Sequence, residues 1–343
     1  MSAMNVVVVG VGRFGTLHLR TWREAGAEVV GVVDVDSDRA RSVAAAHGVP
    51  VHGIGLGEVL DQVKADAVVI ASDEASHSDI ADEALVRGCH VFVEKPLALS
   101  SRRARTTVDL ARARGLEVVA GHVSRFAQQY RYLRQALDSG RLGELWALRL
   151  RRDFSRAWFA AFGDRVHPVW ESCVHDIDLA VYLTGEPARR VVAQQSAAAG
   201  GAAPSVVSAL VEFAGGVMAT IESAWTVPDR GPQTLAGALA LEGTIAGECE
   251  VLGSSGTLRQ RLVNDALVEW GPHGVTVPDL SLWPEENGRI GGALRTEVDY
   301  AIAVFAGHRK NDVMPPEHAV WGVEIAEAMV RSLQSGEVVT LAH

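Results

Sequence analysis

The chain has 343 residues, 48% of them hydrophobic and 22% charged, which is enough for two domains with real cores. A formal net charge of −10 excludes a general binder of nucleic acid or of anionic membrane surfaces. Cys89, Cys173 and Cys249 are scattered without a C-x-x-C pair, which suits a reducing compartment and leaves no structural zinc site. No apolar run approaches the roughly 18 residues that span a bilayer. The opening residues carry no leader pattern, and a cytoplasmic protein is expected.

In chain order, Val6–Val9 is a β-branched run suited to a strand buried on both faces. Gly10, Gly12 and Gly15 follow at G-x-G-x-x-G spacing, with Arg13 and Phe14 between them, and then a helix-compatible segment to Ala25. A second apolar run, Val29–Val33, ends in Asp34, at the distance from the glycines where a dinucleotide-binding unit carries its acid. Gly10 permits the tight turn, Gly12 lets backbone approach a pyrophosphate, and Gly15 lets helix pack on strand. The helix N-terminus offers unpaired N–H groups to phosphate. Asp34 can accept hydrogen bonds from the adenosine ribose and would repel a 2′-phosphate. NAD is therefore expected over NADP, with Arg39 and Arg41 placed to offset that repulsion. The competing reading of Asp34 is a cap for the following helix.

Helix-like and strand-like segments then alternate: Ser37–His47, Ala67–Ala71, Ser78–Arg87, Cys89–Val93, Ser100–Arg114 and Glu117–Ala120. This predicts a doubly wound parallel sheet, a Rossmann domain over residues 1–121. Beyond it, Gln128–Ser139 reads as a helix, Leu145–Arg152 as a strand and Glu171–Leu183 as a helix. Strand-like runs without intervening helices, Val206–Phe213, Val217–Ser223, Leu235–Glu242 and Glu248–Leu252, predict a second α+β domain over 122–343 with a large open mixed or antiparallel sheet. Ala197–Pro204 and Asp279–Gly292 read as flexible surface loops. Gly292–Ala306 and Glu317–Ser335 are closing helices, candidates to pack back on the first domain.

Two stretches carry chemistry. In Glu171–Leu183, Glu171, His175 and Asp178 fall at i, i+4 and i+7, one helical face, with Val174, Ile177 and Val181 on another. A histidine beside carboxylates is a candidate general base. The plainer reading is a helix start with favourable acids and an exposed histidine. Glu94-Lys95-Pro96 stands where a parallel strand ends, the edge at which ligands bind in such folds, and proline restricts the lysine's backbone.

These residues together resemble the glucose–fructose oxidoreductase/inositol dehydrogenase/MocA (Gfo/Idh/MocA) family. The resemblance runs through GVGRFG (10–15), VVDVDSDRA (32–40), ASDEASH (71–77), HVFVEKPLA (90–98), GHVSRF (121–126), DSGRLGEL (138–145), ESCVHDIDLAVYLTGEP (171–187) and SLQSGEVVTL (332–341). It implies an NAD(H)-dependent oxidoreductase interconverting a secondary alcohol and ketone on a sugar, cyclitol or related polyol. By the same resemblance Lys95 and His175 are catalytic, Glu171 pairs with the histidine, and Asp178 contacts substrate hydroxyls. Ser72, His77 and Glu94 match positions on the nicotinamide side, and His122 and Arg125 enter the substrate pocket. Relatives associate through the open sheet face, so a homodimer or homotetramer is expected. The rival readings are an NAD-dependent glycoside hydrolase, a non-catalytic NAD-sensing regulator, and a reductase of a non-sugar carbonyl.

The chain departs from the family pattern at Glu171, where aspartate is usual, at Asp73, where proline is common, and at Cys173, beside the histidine. Asp73 is expected to add a charge and loosen its turn. Arg149, Arg151, Arg152 and Arg156 cluster at a strand end. They read either as an anion pocket for a charged sugar, which makes Arg152 a substrate candidate, or as partners of surface acids or a neighbouring subunit. Trp158, Phe159, Phe162 and Trp170 wall the pocket or pack between domains, and Trp225 with Asp229 reads as structural. Pro168 breaks the spacing of His167, Glu171 and His175, and no metal is expected.

Overall fold

The computed structural model describes residues 3–155, 167–196, 204–228, 233–236, 238–239, 243–262, 267–271 and 274–342. Arg156, Trp158, Phe159, Phe162 and Asp229, most of the Ala197–Pro204 loop and part of Leu235–Glu242 lie outside these residues. The chain divides into two compact units, Met1–Val123 with Glu285–Val320, and Ser124–Pro284 with Trp321–His343. Against the boundary expected at 121/122, the first unit runs slightly further and takes in a late segment.

The valine run becomes β1 (Asn5–Val9), and the glycine turn leads directly into α1 (Arg13–Glu24), three residues earlier than the apolar pattern indicates. Then come β2 (Glu28–Val33), α2 (Ser37–His47), β3 (Val51–Gly53), α3 (Leu56–Leu60), β4 (Ala67–Ile70), α4 (His77–Val86), β5 (His90–Glu94), α5 (Ser101–Arg114) and β6 (Val118–Gly121). All six strands pair in parallel in the order β3-β2-β1-β4-β5-β6. Strand order reverses between β1 and β4, so the loops after β1, β4 and β5 gather at the switch point, where open α/β sheets bind ligands. The short β3 and α3 carry too little periodicity to be read from sequence.

The second unit contributes α6 (Gln128–Asp138), β7 (Leu145–Ser155), α7 (Val174–Thr184), β8 (Ala188–Gln195), β9 (Val206–Phe213), β10 (Met218–Val227), β11 (Gln233–Ala236), β12 (Ile245–Gly253), β13 (Thr257–Arg261), β14 (Glu269–Gly271) and β15 (Gly274–Pro278). The chain continues through a short hairpin of β16 (Glu285–Glu286) and β17 (Arg289–Ile290), α8 (Gly292–Phe305), α9 (Pro316–Ser335) and β18 (Val339–Thr340). A seven-stranded sheet runs β13-β12-β7-β10-β9-β8-β18, mixed because β7 and β10 are parallel and the other pairs antiparallel. Its strands alternate buried and exposed residues, which leaves Leu210 and Met218 on the outer face. The inner face supports α7.

The segment expected as a loose loop at Asp279–Gly292 is ordered. The buried Asp279 carboxylate accepts backbone N–H bonds from Ser281 and Leu282, each 2.8 Å, and from Trp283 at 2.6 Å. Leu282 and Trp283 are buried beside it. One buried acid thus organises the first five residues of a stretch whose composition reads as polar and irregular.

Candidate functional site

The first unit supplies a dinucleotide cradle. Gly10 has φ +80°, and a Cβ there would lie 2.6 Å from Ser72 backbone atoms. A Cβ on Gly15 would lie 1.7 Å from the Gly10 carbonyl oxygen. The fold itself therefore requires glycine at both positions. Gly12 differs, because among the described residues beyond its own helix and chain neighbours no atom stands within 4 Å of where its Cβ would be. Gly12 is also the N-cap of α1 and brings no side-chain cap to the first-turn N–H groups. A bare helix start and a clear backbone approach fit the pyrophosphate of a dinucleotide. Arg13 is exposed at this turn, and Phe14 lies edge-on to His18 at 5.1 Å.

Asp34 follows β2 and is buried. Its carboxylate accepts the Val11 N–H at 3.0 Å and the Asp36 N–H at 2.9 Å, and Arg39 reaches it at 3.1 Å. The acid thereby steadies the glycine turn itself. Capping of α2 falls to Asp36, which accepts the Asp38 and Arg39 N–H groups, each at 3.1 Å. Arg41 pairs with Asp38.

The loops after β4 and β5 are cross-tied. The buried His77 ring lies between two carbonyls, with Nδ1 2.8 Å from Pro96 O and Nε2 3.1 Å from Ser72 O. Both ring nitrogens are thus engaged inside the protein, and His77 joins the loop of Ser72 to the loop of Lys95. The Ser72 hydroxyl meets the Ser76 hydroxyl at 2.8 Å. Asp73 corrects an expectation: the turn is not loosened. Its carboxylate accepts the Ala75 N–H at 3.2 Å, and its carbonyl accepts the Ser76 N–H at 2.9 Å and the Ser76 hydroxyl at 2.7 Å. Aspartate replaces proline's fixed φ with a side-chain hydrogen bond.

Lys95 is half-buried at the end of β5. Glu94 beside it is bound by His18 Nε2 at 2.8 Å and by the Lys95 N–H at 3.3 Å. His122 is buried just after β6.

The second unit supplies the histidine helix, and the expected single polar face is not what forms. Residues Val169–Cys173 make a π-helical turn, with the Val174 N–H on the Val169 carbonyl, five residues back. Glu171 therefore sits in a wider turn than the α-helix that carries His175. His167 starts this turn: its Nδ1 accepts the Val169 N–H at 3.2 Å, and its carbonyl accepts the Trp170 and Glu171 N–H groups, each at 3.0 Å. Burial lowers its pKa, in keeping with a neutral acceptor ring. From residue 171 to 181 only Glu171 and His175 keep partial exposure, and every other residue is buried.

Asp178 is buried, and it binds Arg125 bidentately at 2.8 and 2.7 Å. The Arg125 guanidinium also stands 5.0 Å from the centroid of the Tyr182 ring. Asp178 thus departs from the face of Glu171 and His175, because α7 is enclosed on several sides. Arg152 likewise pairs with buried Asp176, at 3.0 Å for both bonds, and the Tyr130 hydroxyl lies against the same guanidinium. Of the arginine cluster, Arg149 meets Glu250 at 3.0 Å, and Arg151 meets Asp153 at 3.4 Å and Glu248 at 3.8 Å. The surface-acid reading describes Arg149 and Arg151. Burial pushes the Cys173 and Cys249 thiols far above their usual range, which leaves them inert. Among the described residues, no group of three or more His, Cys, Asp and Glu is arranged for a metal.

Sequence reasoning passed over His18, Asp176, Tyr130 and Ser172. Ser172 accepts the Trp225 indole N–H at 2.8 Å and pins the π-turn to β10. Only His18 had a local signal, three residues beyond Gly15 and so one helical turn from the glycine loop.

Residues 4–122 match a family model described as "Oxidoreductase family, NAD-binding Rossmann fold", and residues 130–259 match the "GFO/IDH/MocA C-terminal domain". Inositol 2-dehydrogenase 2 of Saccharopolyspora erythraea is 36% identical over 187 residues, 53% of this chain and 54% of that protein. That match spans about half of the relative's length. Inositol 2-dehydrogenase of Azotobacter vinelandii is 26% identical over 305 residues, 81% of this chain and 83% of the relative. The structure of scyllo-inositol dehydrogenase from Lactobacillus casei, with bound NAD(H) and scyllo-inositol, superposes with a TM-score of 0.81 at 20% identity, covering 99% of each chain. The first unit is thus an NAD-binding Rossmann domain, and the whole chain shares its fold with that dehydrogenase.

Proposed function

Because the chain belongs to the Gfo/Idh/MocA oxidoreductase family, we propose that it is an NAD-dependent dehydrogenase interconverting a secondary alcohol and a ketone on a neutral cyclitol or sugar. The observation that carries this reading is the selective exposure of Glu171 and His175 on an otherwise buried segment, in a chain whose NAD-binding unit ends β5 in Glu94-Lys95-Pro96. A segment that buries its aliphatic residues and two aspartates between positions 171 and 181, yet leaves one histidine and one glutamate accessible there, suits those two to a ligand.

NAD, when bound, supplies the acceptor for the carbinol hydride. The protein's task is then the proton and the oxygen. His175 takes the hydroxyl proton as general base, and Glu171 fixes its tautomer and stabilises the imidazolium. Lys95 donates a hydrogen bond to the same oxygen and stabilises the negative charge that develops there. Run backwards, the same groups reduce a ketone. The preference for NAD over NADP rests on Asp34, whose carboxylate would face a 2′-phosphate.

A neutral substrate is supported by charge matching. Arg125, Arg149, Arg151 and Arg152 each meet a carboxylate. A phosphorylated or nucleotide-linked sugar is recognised by cations not already neutralised within the protein.

The test is reduced-nicotinamide absorbance with NAD and a panel of inositols, aminocyclitols, free hexoses, sugar phosphates and nucleotide sugars. Turnover is expected with one neutral class. His175→Ala and Lys95→Ala should each cut it by about 10²–10⁴ while NADH binding stays nearly unchanged. Near-normal turnover in either variant rejects that residue's role, and turnover confined to charged sugars rejects the neutral class.

A further inference from the structure

We propose that His18, on the glycine-loop helix, is a positioning residue that sets the main chain of Lys95 through the Glu94 carboxylate. The catalytic part of this inference rests on the role of Lys95 proposed above, whereas the structural linkage does not. His18 is fully buried on α1, and its Nε2 lies 2.8 Å from Glu94 Oε1. The other carboxylate oxygen accepts the Lys95 N–H at 3.3 Å. One carboxylate therefore ties the dinucleotide-loop helix to the residue that follows β5.

Three features show a built linkage. The His18 ring is held by aromatic neighbours, edge-on to Phe14 and tilted against Phe92, both at 5.1 Å. Its Nδ1 is buried without a hydrogen-bond partner among the described residues, so the bond to Glu94 is the polar contact that orients the ring. Space for the carboxylate is reserved by Gly121 on β6, where a Cβ would stand 2.8 Å from Glu94 Oε1. Glu94, extended over β6 and gripped from α1, has little freedom left, and Lys95 inherits that restriction through its own N–H.

The consequence is mechanical. A shift of α1 at its phosphate-facing end is transmitted to Lys95 through a short, polar and buried connection. Misplacement of a catalytic group by about 1 Å costs up to about 10²-fold in rate. His18 is thus expected to act on turnover far more than on cofactor affinity.

Lysine scarcity gives a direct readout. The chain has three lysines, Lys64, Lys95 and Lys310. Reductive ¹³C-dimethylation of the full chain, without cofactor, should yield three lysyl signals and one from the N-terminal amine. Lys95→Arg identifies the Lys95 signal. His18→Leu should move the Lys95 signal, while Lys64 and Lys310 stay in place and report an intact fold. His18→Gln, which keeps an N–H near the Nε2 position, should restore it. Adding Glu94→Gln to His18→Leu should cause no further change beyond that of Glu94→Gln alone.

An unmoved Lys95 signal in His18→Leu, or independent effects of the two substitutions, overturns the linkage. If His18→Leu fails to fold, the Lys95 signal in His18→Gln against His18→Asn decides, since Asn cannot reach the Nε2 position. A silent substrate panel with this linkage present rejects the dehydrogenase reading alone. Normal turnover in His18→Leu rejects the positioning role alone.

Discussion

The turn at Gly10–Gly15 and the turn at Val169–Cys173 both open a helix that carries candidate site residues, yet they are held in opposite ways. The first is fixed by neighbours in sequence: Gly15 packs on Gly10, and Asp34 at the end of the next strand holds Val11. The second is held from across its unit, by Trp225 on Ser172, Arg152 on Asp176 and Arg125 on Asp178. A nucleotide loop can be specified by a short motif because its geometry closes within one βαβ unit. The α7 helix, packed on a mixed sheet, takes its orientation from partners about 50 residues away and from a buried charge network.

The largest expected effect tests the distant mode of support. Arg152→Met leaves Asp176 buried without its cation and should cost about 3–5 kcal/mol in unfolding free energy. Arg152→Met/Asp176→Leu should recover most of that loss. Chemical denaturation of the three proteins checks it, and a single variant as stable as the parent would show that α7 is not clamped by charge.

The next contrast lies inside the glycine loop. Gly15→Ala meets backbone at 1.7 Å and should destabilise the protein by about 3 kcal/mol. Gly12→Ala meets nothing and should melt like the parent, but weaken NADH binding by roughly tenfold, equivalent to about 1.4 kcal/mol. Thermal melts alongside NADH fluorescence separate the two. Normal NADH binding by Gly12→Ala would refute the reading of Gly12 as the pyrophosphate approach.

The smallest effect is a pH dependence confined to the first unit. His90 stacks on Phe305, its Nδ1 accepts the Glu117 N–H at 3.0 Å, and burial lowers its pKa. A lowered histidine pKa means that the folded state binds fewer protons than the unfolded state. Its contribution is complete above the ordinary value of about 6.5 and is lost as pH falls through the folded value. Melts between neutral and mildly acidic pH should show less acid loss in His90→Gln than in the parent. Identical slopes would remove His90 from that account.

Much of this molecule follows from its sequence alone. Alternating valine-rich runs and helical stretches specify the parallel sheet, since a strand buried on both faces must be apolar throughout. The glycine spacing and Asp34 locate the cradle, and the Glu-Lys-Pro and Glu171/His175 motifs locate the candidate chemistry. Tertiary structure alone decided the partners. Asp178 and Asp176 look alike in sequence as helix acids, and only enclosure of α7 turned them toward Arg125 and Arg152. Asp73 looked like a loosened turn until its side chain was seen to close it, and Asp279–Gly292 looked like a loose loop, whereas a buried carboxylate organises its start and a short hairpin its remainder. Spacing along the chain encodes which residues share a local turn. The satisfaction of a buried charge depends on what the rest of the fold brings within about 3 Å, and no window of sequence contains that information.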